Sequence, residues 1–170
     1  MKNLFIAIFC LLATSTFAQS EDDAIKSTIN AYTEGFTKGD SASINRAFVS
    51  NALLKNLNAS GKIIDTPLKK FMASMPAGGT KAPGSIISYS YAGTSAIATV
   101  EFKFPEFKYI DLLSLIKLNG EWKIVCRVYS RVGLDENLIS ANVSGKASGG
   151  KGATAPAKKP AAKPKADDGW

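Results

Sequence analysis

The first pattern along the chain is helical: between residues 20 and 39, apolar side chains recur at intervals of three and four. This spacing places them on one face of an α-helix. Ser20 followed by Asp23 has the form of a capping box, which satisfies free backbone N–H groups at a helix start, and Gly39 is typical of a helix end. The residues predicted to face the core are Ile25, Ile29, Tyr32 and Phe36.

Two shorter helices are predicted to follow. Asp40 can cap the first of them through its side chain. The core-facing residues of this helix are Ile44, Ala47 and Phe48. Thr66 and Pro67 supply a cap and a first-turn proline for the second. Its apolar residues are Leu68, Phe71, Met72 and Met75. Between the two helices, residues 52–65 have the form of a short hairpin that turns at residues 59–61.

From residue 85 onward the pattern alternates between apolar and polar residues, which indicates β-strands. Two such runs meet at Gly93, and two more, in the stretch 108–131, meet at Asn119-Gly120, the dipeptide most typical of a tight hairpin turn. One face of the second run holds Ala98, Val100, Phe102 and Phe104. Helices followed by an antiparallel meander predict an α+β fold, with the helices packed on one side of the sheet.

A two-residue turn at Asn119-Gly120 also predicts which residues of the last hairpin face each other. On this register the inward face holds the pairs Asp111 with Val128, Leu113 with Cys126, Leu115 with Ile124, Lys117 with Trp122, and Tyr109 with Ser130. The outward face holds Ile110 with Tyr129, Leu112 with Arg127, Ser114 with Val125, and Ile116 with Lys123. A slip of one residue would exchange the two faces.

The two ends of the chain differ from this central part. Residues 1–18 combine Lys2, an apolar run and a small-residue site before Gln19, the pattern of a cleaved secretory signal. Residues 19–144 have the size of one domain. Residues 145–170 are rich in Ala, Lys, Pro and Gly, and their six lysines carry much of the formal net charge of +7. We expect a disordered basic tail there, and an exported protein, either periplasmic or secreted.

The chain contains no histidine. This excludes catalytic triads and Cys-His pairs that depend on imidazole, as well as histidine-based zinc sites. Cleavage of the signal would remove Cys10 and leave Cys126 alone, so no internal disulfide is expected, and Cys126 is interpreted as a small buried apolar residue. The sequence predicts neither a metal site nor a cofactor.

Taken together, the elements resemble the nuclear transport factor 2-like (NTF2-like) superfamily, and within it a lumazine-binding branch of exported bacterial proteins. The residues that carry the resemblance are Tyr32, Gly39-Asp40 and Asn119-Gly120-Glu121-Trp122-Lys123-Ile124. The resemblance implies a cone formed by a curved sheet wrapped around helices, with a pocket at the wide end and dimerisation through the outer sheet face. Because this superfamily includes both enzymes and binding domains, the fold alone assigns no activity.

Asp111 is the first candidate for a ligand-binding residue, since an inward carboxylate near apolar neighbours could exchange protons or bind a ligand. Tyr109 and Ser130 share its predicted face. The resemblance to steroid delta-isomerases, which use acidic residues and a helix-one tyrosine inside the cone, adds Tyr32. Two alternatives remain open: Asp111 as a solvated charge at the sheet edge, paired with Lys108 or Arg131, and Tyr32 as a core residue.

Three functions follow as hypotheses. The first is a non-enzymatic exported domain that binds a small apolar or aromatic ligand, or forms a homodimer as an interaction module, with no catalytic residue. The second is an isomerase or dehydratase that uses Asp111 and Tyr32 for acid-base chemistry. In the third, the basic tail binds an anionic envelope polymer or lipid headgroups, while nucleic acid is not the expected partner of an exported protein.

Overall fold

The computed structural model describes residues 20–138. The predicted signal at residues 1–18 and the predicted tail at residues 145–170 lie outside this range and remain predictions. Three helices and six strands follow one another along the described residues. They are α1 (Glu21–Lys38), α2 (Ser41–Ala47), β1 (Phe48–Leu57), β2 (Ile63–Pro67), α3 (Leu68–Ser74), β3 (Gly84–Ala92), β4 (Ser95–Lys103), β5 (Lys108–Leu118) and β6 (Glu121–Val132).

Helix α1 begins and ends where the sequence predicts. The Ser20 hydroxyl accepts a hydrogen bond from the Asp23 backbone N–H at 3.1 Å and donates one to the Asp23 carboxylate at 2.7 Å. Gly39 ends the helix in the left-handed conformation, with φ of 76°, which a glycine adopts without a steric penalty. All four apolar residues predicted to face the core are buried.

The two shorter helices are also present, but each has one predicted boundary that is wrong. Phe48, predicted to lie in α2, is buried but is the first residue of β1. Asp40 caps α2 by accepting hydrogen bonds from the N–H groups of Ala42 and Ser43. Thr66, however, does not cap α3. Thr66 and Pro67 are the last residues of β2, where they pair with β1, and α3 begins at the following residue without a side-chain cap.

The six strands form one sheet in the order β2-β1-β6-β5-β4-β3. All neighbouring strands are antiparallel except β1 and β6, which are parallel. The helices pack on one side of this sheet, with α1 against β3 and β6, and α3 against β1 and β2. The inner face of β4 is buried, as its alternation predicts, and the α+β class is confirmed.

The β5–β6 hairpin turns at Asn119-Gly120, where both residues have positive φ. From the turn to the pair Leu115 with Ile124 the register is as predicted. Beyond that pair the prediction is wrong, because Val125 is an extra residue in β6 and the next pair is Ser114 with Cys126. Such a β-bulge shifts every later pairing by one residue.

Beside the hairpin turn, three side chains form a group that we call the turn cluster: Glu21, Lys117 and Trp122. The Lys117 ammonium forms an ion pair with one carboxylate oxygen of Glu21, and the Trp122 indole N–H donates a hydrogen bond of 2.8 Å to the other. Helix α1 is thereby tied to the hairpin close to its N-terminus. The Lys117 and Glu21 side chains remain 30% and 40% exposed.

The segment between α3 and β3 runs along the C-terminal end of α1. The backbone N–H groups of Thr80 and Lys81 donate hydrogen bonds to the carbonyls of Phe36 and Thr37, which are among the last carbonyls of the helix and lack intrahelical partners. A Cβ at Gly79 would lie 2.3 Å from the Thr37 carbonyl oxygen. Only a glycine permits this approach, so the backbone of the segment lies directly against the end of the helix.

Within residues 20–138, none of the helices has both the length and the apolar character needed to span a membrane.

Candidate functional site

The bulge at Val125 turns Arg127 toward the interior of the domain, where it meets Asp111. The Arg127 Nε–H and Nη2–H groups donate hydrogen bonds of 2.7 and 2.9 Å to the two carboxylate oxygens of Asp111. The Asp111 side chain is fully buried and that of Arg127 is 2% exposed. This is the two-pronged pairing that a guanidinium and a carboxylate form best.

Tyr32, from α1, completes the group. Its hydroxyl donates a hydrogen bond of 2.5 Å to the same Asp111 oxygen that accepts from Arg127 Nε. We call Tyr32, Asp111 and Arg127 the inner cluster. Burial raises the pKa of the Tyr32 hydroxyl well above its usual value of 10; the positive charge of Arg127 opposes this rise, and the Asp111 carboxylate adds to it.

Aromatic rings surround the Arg127 guanidinium. Its central carbon lies 3.9 Å from the centre of the Tyr129 ring, and between 5.5 and 5.8 Å from the rings of Phe71, Phe36 and Tyr32. Burial is the largest single influence on the pKa of Arg127 and would lower it, but the charge and hydrogen bonds of Asp111, together with smaller contributions from Tyr32 and Tyr129, raise the pKa overall. The guanidinium therefore stays charged inside a mostly apolar enclosure.

A pocket of about 110 Å³ opens next to this guanidinium. Aromatic and other apolar side chains form most of its wall, together with the small hydroxyl-bearing residues Thr66, Ser74 and Thr80. Arg127 is the one charged residue among those that line it. A small apolar space with a few fixed polar groups is the usual composition of a small-molecule site.

One side of the pocket is built by the loop between β4 and β5. The Phe104 N–H donates a hydrogen bond of 2.9 Å to the Phe107 carbonyl, which closes a tight turn. This turn stacks the Phe104 and Phe107 rings, with centres 4.6 Å apart and planes 12° from parallel. Tyr109 contacts both rings edge to face. The pocket therefore has an ordered aromatic wall at this side.

The four predicted ligand-binding residues occupy three different environments. Tyr109 lines the pocket, whereas Asp111 and Tyr32 lie in the inner cluster behind Arg127. Ser130 pairs with Ile110, not with Tyr109, and its side chain is exposed. The bulge is the reason for this difference, because it shifts residues after Val125 by one place. Ligand binding by Asp111, Tyr32 and Tyr109 stays a prediction.

Both open questions about Asp111 and Tyr32 have a structural answer. Asp111 is neither solvated nor paired with Lys108 or Arg131, but buried against Arg127. Tyr32 is a core residue with its hydroxyl bonded. Arg127 was predicted to lie on the outward face of the sheet, and this prediction is wrong because its side chain is buried against Asp111. A signal was available, since a carboxylate predicted to be buried needs a nearby donor of opposite charge.

Metal binding has no support in the described part of the chain, where no group of three or more Cys, Asp or Glu side chains is placed to hold an ion. The two oxygens of Asp111 both accept hydrogen bonds, and Asp111 does not line the pocket. The chemistry that the site offers to a molecule in the pocket is thus apolar contact, hydroxyl groups and one guanidinium.

The fold and the site define a class of protein: an α+β domain with helices on one face of its sheet and a mostly apolar pocket beside a buried ion pair. Residues 20–130 match the family described as "Putative lumazine-binding". Because this match covers more than half of the 170 residues, the chain belongs to that family, within the NTF2-like superfamily. The family and the fold class predicted from the sequence are confirmed.

Solved structures of similar proteins agree with this assignment. An NTF2-like protein of unknown function from Shewanella baltica OS155 is 25% identical, with 69% of this chain and 98% of that chain covered and a TM-score of 0.60. An NTF2-like protein of unknown function from Methylobacillus flagellatus KT is 27% identical, with 66% and 94% covered and a TM-score of 0.55. No curated protein matches the chain.

Proposed function

We propose that this domain binds a small molecule through an aromatic or otherwise planar apolar ring that enters the pocket beside Arg127, and that it does so without catalysing a reaction. The observation that carries the proposal is the pocket wall, which is mostly apolar, includes six aromatic residues and contains a single charged group. The family name, which refers to lumazine, a planar bicyclic compound, supports the same class of ligand.

The size of the pocket limits what can enter. Its volume of about 110 Å³ is smaller than the roughly 150 Å³ of an engineered cavity known to accept benzene. It is also smaller than the roughly 300–1,000 Å³ of typical drug-sized sites. We therefore expect no more than one ring to enter, while the rest of a larger ligand lies at the mouth. A four-ring steroid would not be enclosed without displacement of the wall.

The acid-base alternative has less support. A general base must reach the proton that it removes, but Asp111 is separated from the pocket and accepts hydrogen bonds from both of its neighbours in the inner cluster. Tyr32 directs its hydroxyl proton to Asp111, not to the pocket. Asp111 is bonded to Arg127 and Tyr32 is bonded to Asp111, and neither side chain lines the pocket.

The test uses two tryptophan substitutions that differ in position by one residue on α3. Both residues are exposed, but Ser74 lines the pocket and Ala73 does not. Ser74→Trp should fill the pocket, and Ala73→Trp adds the same side chain outside it. Binding of lumazine and of one-ring aromatic probes is followed by amide chemical shifts in two-dimensional NMR titrations.

We expect lumazine or the one-ring probes to shift the amides of Phe71, Tyr109 and Tyr129 in the wild-type protein and in Ala73→Trp, but not in Ser74→Trp. If none of the probes binds the wild-type protein, or if Ser74→Trp binds them unchanged, the pocket is not the binding site. Equal loss of binding in both variants would mean that the α3 surface itself, outside the pocket, is responsible.

As a second part of the function, we propose that the protein forms a homodimer through the outer face of its sheet. Ile97, Leu112, Ile116 and Val128 are neighbours on this face and are 63%, 52%, 40% and 44% exposed. A contiguous exposed apolar patch of this kind marks an interaction surface. Leu112→Lys should convert a dimer to a monomer in light scattering, whereas Lys69→Glu, on exposed α3, should not. A wild-type monomer at high concentration would contradict this proposal.

We further propose that the protein is exported and that its basic tail associates with anionic envelope polymers. The support is the composition of residues 1–18 and 145–170. Mass spectrometry of the protein purified from its native cells should give a mature N-terminus near Gln19, and a chain that ends at residue 144 should lose envelope association in cell fractionation. An intact Met1, or association that survives the truncation, would contradict these two parts respectively.

A further inference from the structure

We propose that Arg127 is the specificity-determining residue of the pocket, and that it selects a ring carrying an uncharged carbonyl oxygen, such as a ring ketone, amide or imide. This inference rests on the proposed function, because it requires that the pocket receives a ring. The inference specifies which chemical group the ring carries where it enters the pocket, and it names Arg127 as the residue that recognises this group.

The hydrogen-bonding capacity of Arg127 is only partly used within the inner cluster. A guanidinium has five N–H donors that lie in one plane, and Asp111 accepts from one at Nε and one at Nη2. Asp111 lies behind Arg127 and does not line the pocket, whereas Arg127 does. The edge of the guanidinium that faces the pocket is then the edge that Asp111 leaves uncovered.

The faces of the guanidinium are less accessible than this edge. Tyr129 covers one face at 3.9 Å, and the rings of Phe36, Phe71 and Tyr32 lie between 5.5 and 5.8 Å away. A ligand therefore has little room to stack on Arg127 and meets its edge instead. At the edge the N–H groups point in the guanidinium plane, so the matching group is an acceptor atom that lies in this plane.

The charge of the inner cluster decides which acceptor fits. Asp111 balances the positive charge of Arg127 at hydrogen-bond distance, so the pair presents donors but little net charge to the pocket. A carboxylate on the ligand would lose its hydration among aromatic side chains without gaining an unbalanced cation in return. An uncharged carbonyl oxygen loses less hydration and still gains a hydrogen bond to a charged donor.

The experiment compares three one-ring probes of similar shape: acetophenone, with an uncharged carbonyl, ethylbenzene, with no acceptor, and benzoate, with a charged acceptor. Affinities are measured by NMR titration of the full folded chain. Because a hydrogen bond to a charged donor is worth a factor of about ten or more, we expect acetophenone to bind at least about tenfold more tightly than ethylbenzene. Benzoate should bind more weakly than acetophenone.

Variants assign the preference to Arg127. Removal of Arg127 alone would leave Asp111 buried without its partner, so the main variant is the double substitution Asp111→Leu with Arg127→Met, which replaces the ion pair by apolar side chains. It should bind acetophenone and ethylbenzene about equally. Arg127→Lys keeps the charge next to Asp111 but removes the planar fork, and should reduce the preference as well. Lys69→Met, at an exposed lysine of α3, should preserve it.

The outcomes separate this inference from the proposed function. If acetophenone and ethylbenzene bind the wild-type pocket equally, or if benzoate binds most tightly, the selection of an uncharged carbonyl is wrong while ring binding stands. If the preference survives in both Arg127→Lys and the double variant, Arg127 is not its source. If none of the three probes binds in the pocket, the proposed function itself fails.

Discussion

The inner cluster and the turn cluster are built from the same kinds of parts. Each joins one carboxylate, one cation and one aromatic donor, and each connects α1 to the β5–β6 hairpin. They differ in exposure, since both charged side chains are at most 2% exposed in the inner cluster but 30% and 40% exposed in the turn cluster. Water can replace a lost partner only in the turn cluster. The same chemistry therefore has different consequences at the two ends of one hairpin.

The largest expected effect comes from breaking the inner ion pair at its carboxylate. Asp111→Asn leaves the Arg127 guanidinium buried with no opposite charge, and loss of one partner of a buried pair costs about 3–5 kcal/mol. We expect this decrease in the free energy of unfolding in urea denaturation followed by circular dichroism. The matched substitution Asp65→Asn breaks the exposed pair with Lys55 and should have a much smaller effect.

A loss as small as that of Asp65→Asn would show that water reaches the inner cluster, and the contrast between the two clusters would disappear. The expected destabilisation also has a practical consequence. Loss of an activity in Asp111→Asn would not by itself assign catalysis to Asp111, because the fraction of folded protein would fall at the same time.

A smaller effect is expected for Tyr32→Phe, which keeps the ring and removes the hydroxyl. Asp111 would lose one of three hydrogen bonds but keep both from Arg127. Loss of a single buried partner costs about 1–3 kcal/mol, measurable in the same urea experiment. Tyr91→Phe removes a hydroxyl from a ring that is 45% exposed and serves as the control. Equal stability of Tyr32→Phe and Tyr91→Phe would argue against a tight inner cluster.

The inner cluster should also limit stability at alkaline pH. In the unfolded chain Tyr32 ionises near its usual pKa of 10, whereas burial raises its pKa in the folded protein. Above pH 10 the unfolded state therefore binds fewer protons than the folded state, and stability falls as pH rises. The decline in the urea midpoint above pH 10 should be shallower in Tyr32→Phe than in the wild type; an identical decline would contradict a raised pKa.

The smallest effect is expected at the turn cluster, and at the opposite end of the pH range. The hydrogen bond from Lys117, followed by that from Trp122, lowers the pKa of Glu21 below its usual value of 4.5. The stability that the Glu21 carboxylate contributes is therefore fully present above pH 4.5, and it is lost as the pH falls through the lowered pKa. At neutral pH, Glu21→Gln should change the urea midpoint less than Tyr32→Phe does. At acid pH, the urea midpoint of Glu21→Gln should fall less steeply than that of the wild type. Glu34→Gln, in an exposed pair with Lys38, is the control.

The elements of the fold could be predicted because local signals determine them. The capping box at Ser20, the glycine at position 39 and the Asn119-Gly120 turn each satisfy a backbone requirement within a few residues. Thr66 misled the prediction for the opposite reason. Thr66-Pro67 satisfies the local signals for a helix start. In the structure, however, the backbone of this segment pairs with β1 and is extended.

The candidate site could be predicted only in part. Tyr32, Tyr109 and Asp111 are inside, as their spacing from the helix cap or the hairpin turn indicates. Arg127 and Ser130 were misplaced because they follow Val125, the bulged residue. Val125 and Cys126 are both apolar and both half-buried, so alternation in the sequence cannot reveal which of them is the extra residue. The pocket itself joins two helices, α1 and α3, with two loops and four strands, and such distant segments leave no pattern in the sequence.

The extra residue in β6 also bears on how relatives of this chain are compared. In an ungapped alignment with a relative whose last strand lacks the bulge, the column that contains Arg127 would hold a residue of the opposite sheet face. An arginine of the same role would then stand one column away and look unconserved. A gap placed at Val125 restores the correspondence, so the conservation of Arg127 within the family should be judged only after the bulge of each member has been located.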